Sequence, residues 1–203
     1  MARDVALTRK KLLEAAGQEF AELGIAGARV DRIAERAGVN KERVYGHFGN
    51  KEGLFEAVIS SSLDELAEAV SPPDHDIAKW VARVYDFHRE RPELLRLLLW
   101  EALQYRDREV PGEAQRAAHY SEKVEALARQ LGVAPGPEAA ALLLALIGLA
   151  TWPSVVPQLT RLIIGPHAET RQGQVTLRNC LIDIARRVSE QRPQQGLAPE
   201  ESP

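Results

Sequence analysis

A chain of 203 residues with one cysteine, Cys180, and a net charge of −3 excludes an internal disulfide and any multi-cysteine zinc site, and fits a reducing, intracellular setting. Hydrophobic residues make up 45% and aromatics only 5%, so a sizeable core has to be built from Leu, Ala, Val and Ile. The start, MARDVALTRKKLL, has no apolar stretch of signal-peptide length, and the longest apolar run, residues 139–152, falls short of the roughly 20 residues of a membrane span.

Charge is unevenly spread. Residues 1–51 hold ten Lys or Arg against seven Asp or Glu, a net +3, whereas the rest of the chain is net −6. A basic head on an acidic body suits a protein that meets phosphate with one end.

The first predicted helix covers residues 8–23, with Thr8 as cap, Leu12, Leu13, Ala16, Phe20 and Leu23 as its apolar stripe, and Gly24 as its end. Val30, Ile33, Ala34 and Ala37 then recur at helical spacing up to Gly38, which can adopt the left-handed conformation that stops a helix. Asn40 is placed to cap the next helix, about residues 41–47, which carries Lys41, Arg43, Tyr45 and His47. Two short helices joined by a glycine turn, the second one basic, form a helix-turn-helix pattern over about 29–48. Phe48 is assigned to the core of the head. Asn50 can cap a fourth, bracing helix over 51–70. Ser71-Pro72-Pro73 marks the boundary between a head of residues 1–50 with its bracing helix and a body of residues 74–191.

The body reads as helices throughout, with no strand pattern and no internal repeat. Asp74 is the expected cap of a helix ending near Arg91, and Pro92 suits the first turn of the next. A polar helix over 113–131 follows. The apolar run after Pro137 reads as a buried helix ending near Thr151 and broken by Pro153 and Pro157. A short segment over 158–164 comes next, then a last helix over 169–191 with Cys180 in its apolar region. The tail, 192–203, is polar and proline-rich and is expected to be disordered. The two last long helices are apolar on more than one side, so a second covering surface is needed. The expected dimer face comprises Leu142, Leu146 and Leu149 of one helix and Leu177, Leu181, Ile184 and Val188 of the other.

Arg43 is the candidate for base readout, since bidentate Arg to guanine is the commonest specific contact. Its alternative role is a phosphate contact or a salt bridge with Glu42 or Asp31. Arg29, Val30, Asn40 and Glu42 border the same surface, and Lys41, Tyr45, His47 and Lys51 are candidates for phosphate. In the body, Trp80, Tyr85, His88, Trp100, Tyr105, His119 and Trp152 are candidates to line a ligand pocket, with ordinary core packing as the alternative for each. No histidine has a glutamate three residues before it, and no zinc motif or glycine-rich phosphate loop is present. Neither enzyme activity, nor a metal, nor a cofactor is expected.

Thr8-Arg9, Ala15-Ala16, Phe20 and Gly24, then Val30, Ile33-Ala34 and Ala37-Gly38-Val39, then Lys41, Tyr45, His47-Phe48, Lys51-Glu52 and Leu54-Phe55 together resemble the TetR family of bacterial transcriptional regulators. The resemblance covers about residues 8–59. It implies an all-α fold of about nine helices: a three-helix DNA-binding head and a helical body for ligand binding and dimerisation. It also implies a homodimer on double-stranded, palindromic operator DNA, acting in the cytoplasm and on the nucleoid, as a repressor released by a small-molecule effector of unknown identity, with no membrane partner. An activator of the same fold, or a helical small-molecule-binding protein with little specific DNA binding, are the alternatives. Two positions depart from the family. Ala28-Arg29 stands where many members have a Thr or Ser cap, and Glu42-Arg43 stands where a small residue and Thr are usual.

Overall fold

The computed structural model describes residues 2–73 and 76–190, and every regular element among them is helical. The described residues form ten α-helices, where about nine were expected: α1 Ala2–Gly27, α2 Val30–Ala37, α3 Lys41–Phe48, α4 Lys51–Ala69, α5 Ile77–Glu90, α6 Glu93–Tyr105, α7 Glu113–Leu131, α8 Pro137–Val155, α9 Pro157–Ile164 and α10 Arg171–Glu190. A 3-10 turn, Gly165–His167, joins the last two. Asp74 and the 192–203 tail lie outside the described residues.

The chain forms two compact units. The first contains residues 1–70, 86–116 and 154–157, and the second 71–85, 117–153 and 158–203. The first unit is therefore larger than the 1–70 stretch, because it includes α6.

In the first unit, α1 starts six residues before the expected Thr8, since nothing in residues 2–7 breaks a helix. It is interrupted at Gly24, where φ is 66° and ψ −179°, a backbone that only glycine adopts readily. The helix resumes for one turn to Gly27, and Leu23, expected on the apolar stripe, is exposed at the break. The core joins Leu12, Ala16, Phe20 and Ile25 of α1 to Ile33 of α2, Val44 of α3, Leu54, Phe55 and Ile59 of α4, and Leu97 of α6. Phe20 and Phe55 meet edge to face, with ring centroids 5.2 Å apart.

Local signals set the head's boundaries. Gly38 closes α2 in the left-handed conformation, with its N–H on Glu35 O and that of Val39 on Ala34 O. Asn40 accepts from Arg43 N at 3.1 Å and Asn50 from Gly53 N at 2.7 Å, each capping the helix that follows. Arg29, at the start of α2, makes no side-chain cap. Its own N–H instead donates to Oε1 of Glu19, 3.1 Å away on α1, and that oxygen also receives Nε and Nη2 of Arg32 at 2.9 and 2.7 Å. Glu19 is 2% exposed.

In the second unit, α5 begins after Asp76, whose Oδ1 accepts from Lys79 N at 2.9 Å; this backbone donation holds the Asp76 carboxyl below the usual carboxylate range. The cap thus falls two residues beyond Asp74. α8 does not end near Thr151 but runs through Pro153 to Val155. Proline costs little there, because the helix stops two residues later and Pro157 opens α9 at the position where proline is favoured. The expectation of a buried α8 is only partly met: Ala139, Leu143, Leu146, Ala150 and Thr151 are buried, whereas Leu144 is 72% and Trp152 55% exposed. By length and composition it is the one helix among the described residues that could cross a membrane, a pattern that core helices share. Cys180 is exposed rather than in the core, on the same side of α10 as Asp183.

Replacing Glu19 with alanine deprives the Arg29 N–H and the Arg32 guanidinium of their acceptor, and is expected to cost about 2 kcal/mol. Chemical denaturation reads this as a lower midpoint at unchanged slope, with Glu19→Gln losing less.

Candidate nucleic-acid interface

α3 has one buried side chain, Val44, which faces the head's core. This leaves Lys41, Glu42, Arg43 and Tyr45 exposed and His47 half-buried. Tyr45 is therefore free of the packing role that its size allows. His47 lies against Phe48, with centroids 5.9 Å apart. Phe48 packs on the core as expected and carries the Arg9 guanidinium 5.1 Å above its ring. Lys41 is paired with Asp31 of α2 at 2.8 Å, and this hydrogen bond raises the lysine's pKa. Arg43 is exposed, and Asp31 is taken by Lys41 instead.

The remaining candidates border this helix. Arg29 is exposed. Val30 is 7% exposed within the core, so only its backbone can face a ligand, a correction forced by the apolar stripe of α2. Asn40 has its carbonyl oxygen engaged as a cap, which leaves its amide group to donate. Lys51 donates to Ala28 O at 3.4 Å and retains further N–H donors. Beside α3 a cleft of about 490 Å³ is lined by Val5, Thr8, Asn40, Glu42, Arg43, Gly46 and His47. The early turns of α1 thus wall one side of the recognition surface, because α1 begins before Thr8.

Sequence reasoning missed Glu19. Its signal was a charge three residues after Ala16 and seven after Leu12, on the apolar face of α1.

The second unit carries a different kind of surface. Gly148, Leu149, Trp152 and Pro153 of α8, Leu159, Thr160, Ile163 and Ile164 of α9, and Leu177 and Leu181 of α10 line an apolar groove of about 520 Å³. It brings Trp152 together with three residues expected at a dimer face. Around it Leu162 and Ile163 are 82% and 74% exposed, and Ile184 is also exposed. Leu142 and Val188 are half-buried, whereas Leu146 and Leu181 are buried by their own chain and have little surface left to share.

Comparison with known proteins bears directly on this arrangement. Residues 12–58 match the family of bacterial regulatory proteins named for tetR, and residues 76–187 match the tetracyclin repressor-like C-terminal domain. The chain belongs to the TetR family. It is 42% identical over 193 residues to the HTH-type transcriptional repressor SCO4008 of Streptomyces coelicolor, covering 92% of this chain and 97% of that one. The crystal structure of the regulator SCO4942 from the same organism superposes with a TM-score of 0.72 at 28% identity, over 89% and 97% of the two chains. The fold is also that of FadR of Bacillus subtilis, solved with stearoyl-CoA, at a TM-score of 0.63 and 15% identity over 87% and 96%. This TetR-family protein is accordingly a DNA-binding transcriptional regulator, and the family acts as dimers that bind DNA and small molecules.

The aromatic candidates for a TetR-type pocket are divided between the units. Trp80, Tyr85, His119 and Trp152 lie in the second; His88, Trp100 and Tyr105 lie in the first. Trp100 packs on α1, its Nε1 donating to Ala21 O at 3.4 Å, and Tyr105 donates its hydroxyl to Glu56 of α4 at 3.4 Å. These two brace the head. His119 is half-buried beside Tyr120. Trp80 and His88 are buried on α5, with Nε1 and Nδ1 respectively lacking partners among the described residues.

Burial pushes the His88 pKa down to about 4. The unfolded chain takes up this proton near pH 6.5 and the folded chain only near 4. Stability is therefore fully present above about pH 6.5 and falls as pH drops towards 4, by up to about 3 kcal/mol. Denaturation midpoints compared at pH 7 and pH 4.5 are expected to show this drop, and His88→Gln to shrink it.

Proposed function

We propose that this protein is a homodimeric repressor that binds a palindromic operator in the cytoplasm and is released from it by a small molecule. The observation that carries the reading is α3: a capped helix held to the core by Val44 and Phe48, offering Lys41, Glu42, Arg43, Tyr45 and His47 on its free side. Repression is supported by the relative SCO4008, named a transcriptional repressor. Arg43 reads a base edge, while Lys41, Tyr45, His47 and Lys51 hold phosphate and set the register. Arg29 takes phosphate by charge, and its side chain is not used as a cap.

Dimerisation uses α8 and α10. Its support is the apolar surface that one chain leaves open: Leu144, Trp152, Val175 and Ile184 are exposed, with Leu162 and Ile163 of α9 beside them. An exposed apolar patch of this kind marks an interaction site. A two-fold pairing also supplies two heads for the half-sites of a palindrome. The effector binds in the body, residues 74–191, with no metal or cofactor required. Trp152 and the α8–α10 groove offer it apolar surface.

A DNA duplex selected by the protein from a random-sequence library tests the whole reading. Selection is expected to yield a palindrome bound roughly 10³-fold more tightly than scrambled sequence; equal binding to both would refute it. Arg43→Ala is expected to relax preference at one base pair per half-site, at a cost of about 1–3 kcal/mol. Ile184→Asp is expected to shift the dimer to monomer in light scattering at micromolar concentration.

A further inference from the structure

We infer that Trp100 is a positioning residue for the DNA head: it clasps the break in α1 and so fixes the direction in which the chain leaves for the helix-turn-helix. This rests on the DNA-binding reading above. Only residues 25–29 separate Gly24 from the first residue of α2. The backbone path at Gly24 therefore decides where α2, and with it α3, begins.

The indole of Trp100 sits on that point. A side-chain carbon added to Gly24 would fall 2.8 Å from Cδ2 and Cε3 of the ring, closer than packed atoms allow. The same ring donates through Nε1 to Ala21 O, the carbonyl three residues before the break. One side chain on α6 thus covers both the bare α-carbon at the break and the turn that precedes it. Glycine is required there twice, by its left-handed φ and by the closeness of the ring.

Trp100 is not there to fill the core. It is 36% exposed, whereas Leu97, one turn earlier on α6, is completely buried in the head's core cluster. The base from which the indole reaches is firm. Tyr105 ties the end of α6 to Glu56 of α4, and Glu101, 5% exposed, forms a two-point pair with Arg116 at 2.8 and 3.0 Å. If α6 is fixed and the indole is seated, the path at Gly24 has one setting. Without the ring, α2 and α3 gain freedom of direction. Base contacts need exact placement and suffer; phosphate attraction tolerates the change.

The experiment measures binding of a duplex selected by the wild-type protein, and of a scrambled duplex, to Trp100→Ala and Trp100→Phe. Trp100→Ala should lose about tenfold or more on the selected duplex and less than about twofold on the scrambled one. Trp100→Phe, which keeps a ring over Gly24, should recover most of the loss. Wild-type affinity of Trp100→Ala for the selected duplex, or parallel loss on both duplexes, overturns the inference.

A second arm needs no DNA. In a Trp80→Phe, Trp152→Phe protein the emission comes from Trp100 alone, and adding Gly24→Ala should expel the ring and shift the emission to the red. No shift means that the ring is not seated on Gly24 and also overturns the inference, even if Trp100→Ala fails to fold. Should the wild-type protein select no duplex, the DNA-binding reading fails, and the emission arm still decides whether the clasp exists.

Discussion

The head depends on one buried carboxylate. α2 begins at a residue that cannot cap it, and a helix start left unpaired against a core is costly. Glu19 reaches this start from a neighbouring helix, taking the N–H of Arg29, the residue just before the first turn, and the Arg32 guanidinium on a single oxygen. A Thr or Ser cap would satisfy α2 from within its own segment and leave its attachment to α1 to apolar packing. Here a hydrogen bond to α1 adds a tether. The start of α2 is directional, because a hydrogen bond has a preferred line whereas apolar contact does not. Everything downstream, from the Gly38 turn to the exposed face of α3, inherits its placement from that point.

The second unit has the opposite character. Its boundary residues are ordinary, but α8, α9 and α10 leave large apolar side chains uncovered, Leu162 and Ile163 most of all. The first unit also shows aliphatic side chains, Leu99 at 44% and Leu103 at 66% among them, but one core cluster joins its α1, α2, α3, α4 and α6. The contrast follows from composition. α3 meets its core through Val44 and Phe48 and shows polar groups outward, whereas α8 has apolar residues round most of its circumference and one chain cannot cover them all. The polar surface and the apolar surface are suited to different partners, a polyanion and a helical or small apolar one, and they belong to different units.

What the sequence made legible was the local chemistry. Asn40 and Asn50 cap as expected because a cap acts within three residues of itself, and Gly38 ends α2 because a left-handed φ is a single-residue property. The contacts that the sequence did not reveal join distant residues. The bond from Arg29 N to Glu19 spans ten residues, and the bond from Trp100 to Ala21 spans 79, a reach that no periodicity reports. For Trp100 and Tyr105 a pocket wall and ordinary packing both stood open, because residue type alone cannot tell a ligand wall from a brace. Val30 looked like a contact because it opens the helix-turn-helix, yet the apolar spacing that revealed α2 also required it to face inward. Pro153 was read as a breaker, although two residues from a helix end it has little left to break.

Glu19 and Trp100 act on the same short stretch from its two ends. Gly24 lies five residues after Glu19, and Arg29 five residues after Gly24, so the segment that leads into the helix-turn-helix is held where it leaves α1 by an indole and where it enters α2 by a carboxylate. Neither group touches the exposed face of α3. A head built this way can vary the residues that meet DNA, as Glu42 and Arg43 do against the family habit, without disturbing its frame. The bond to Glu19 engages the Arg29 backbone N–H, which any residue but proline would offer.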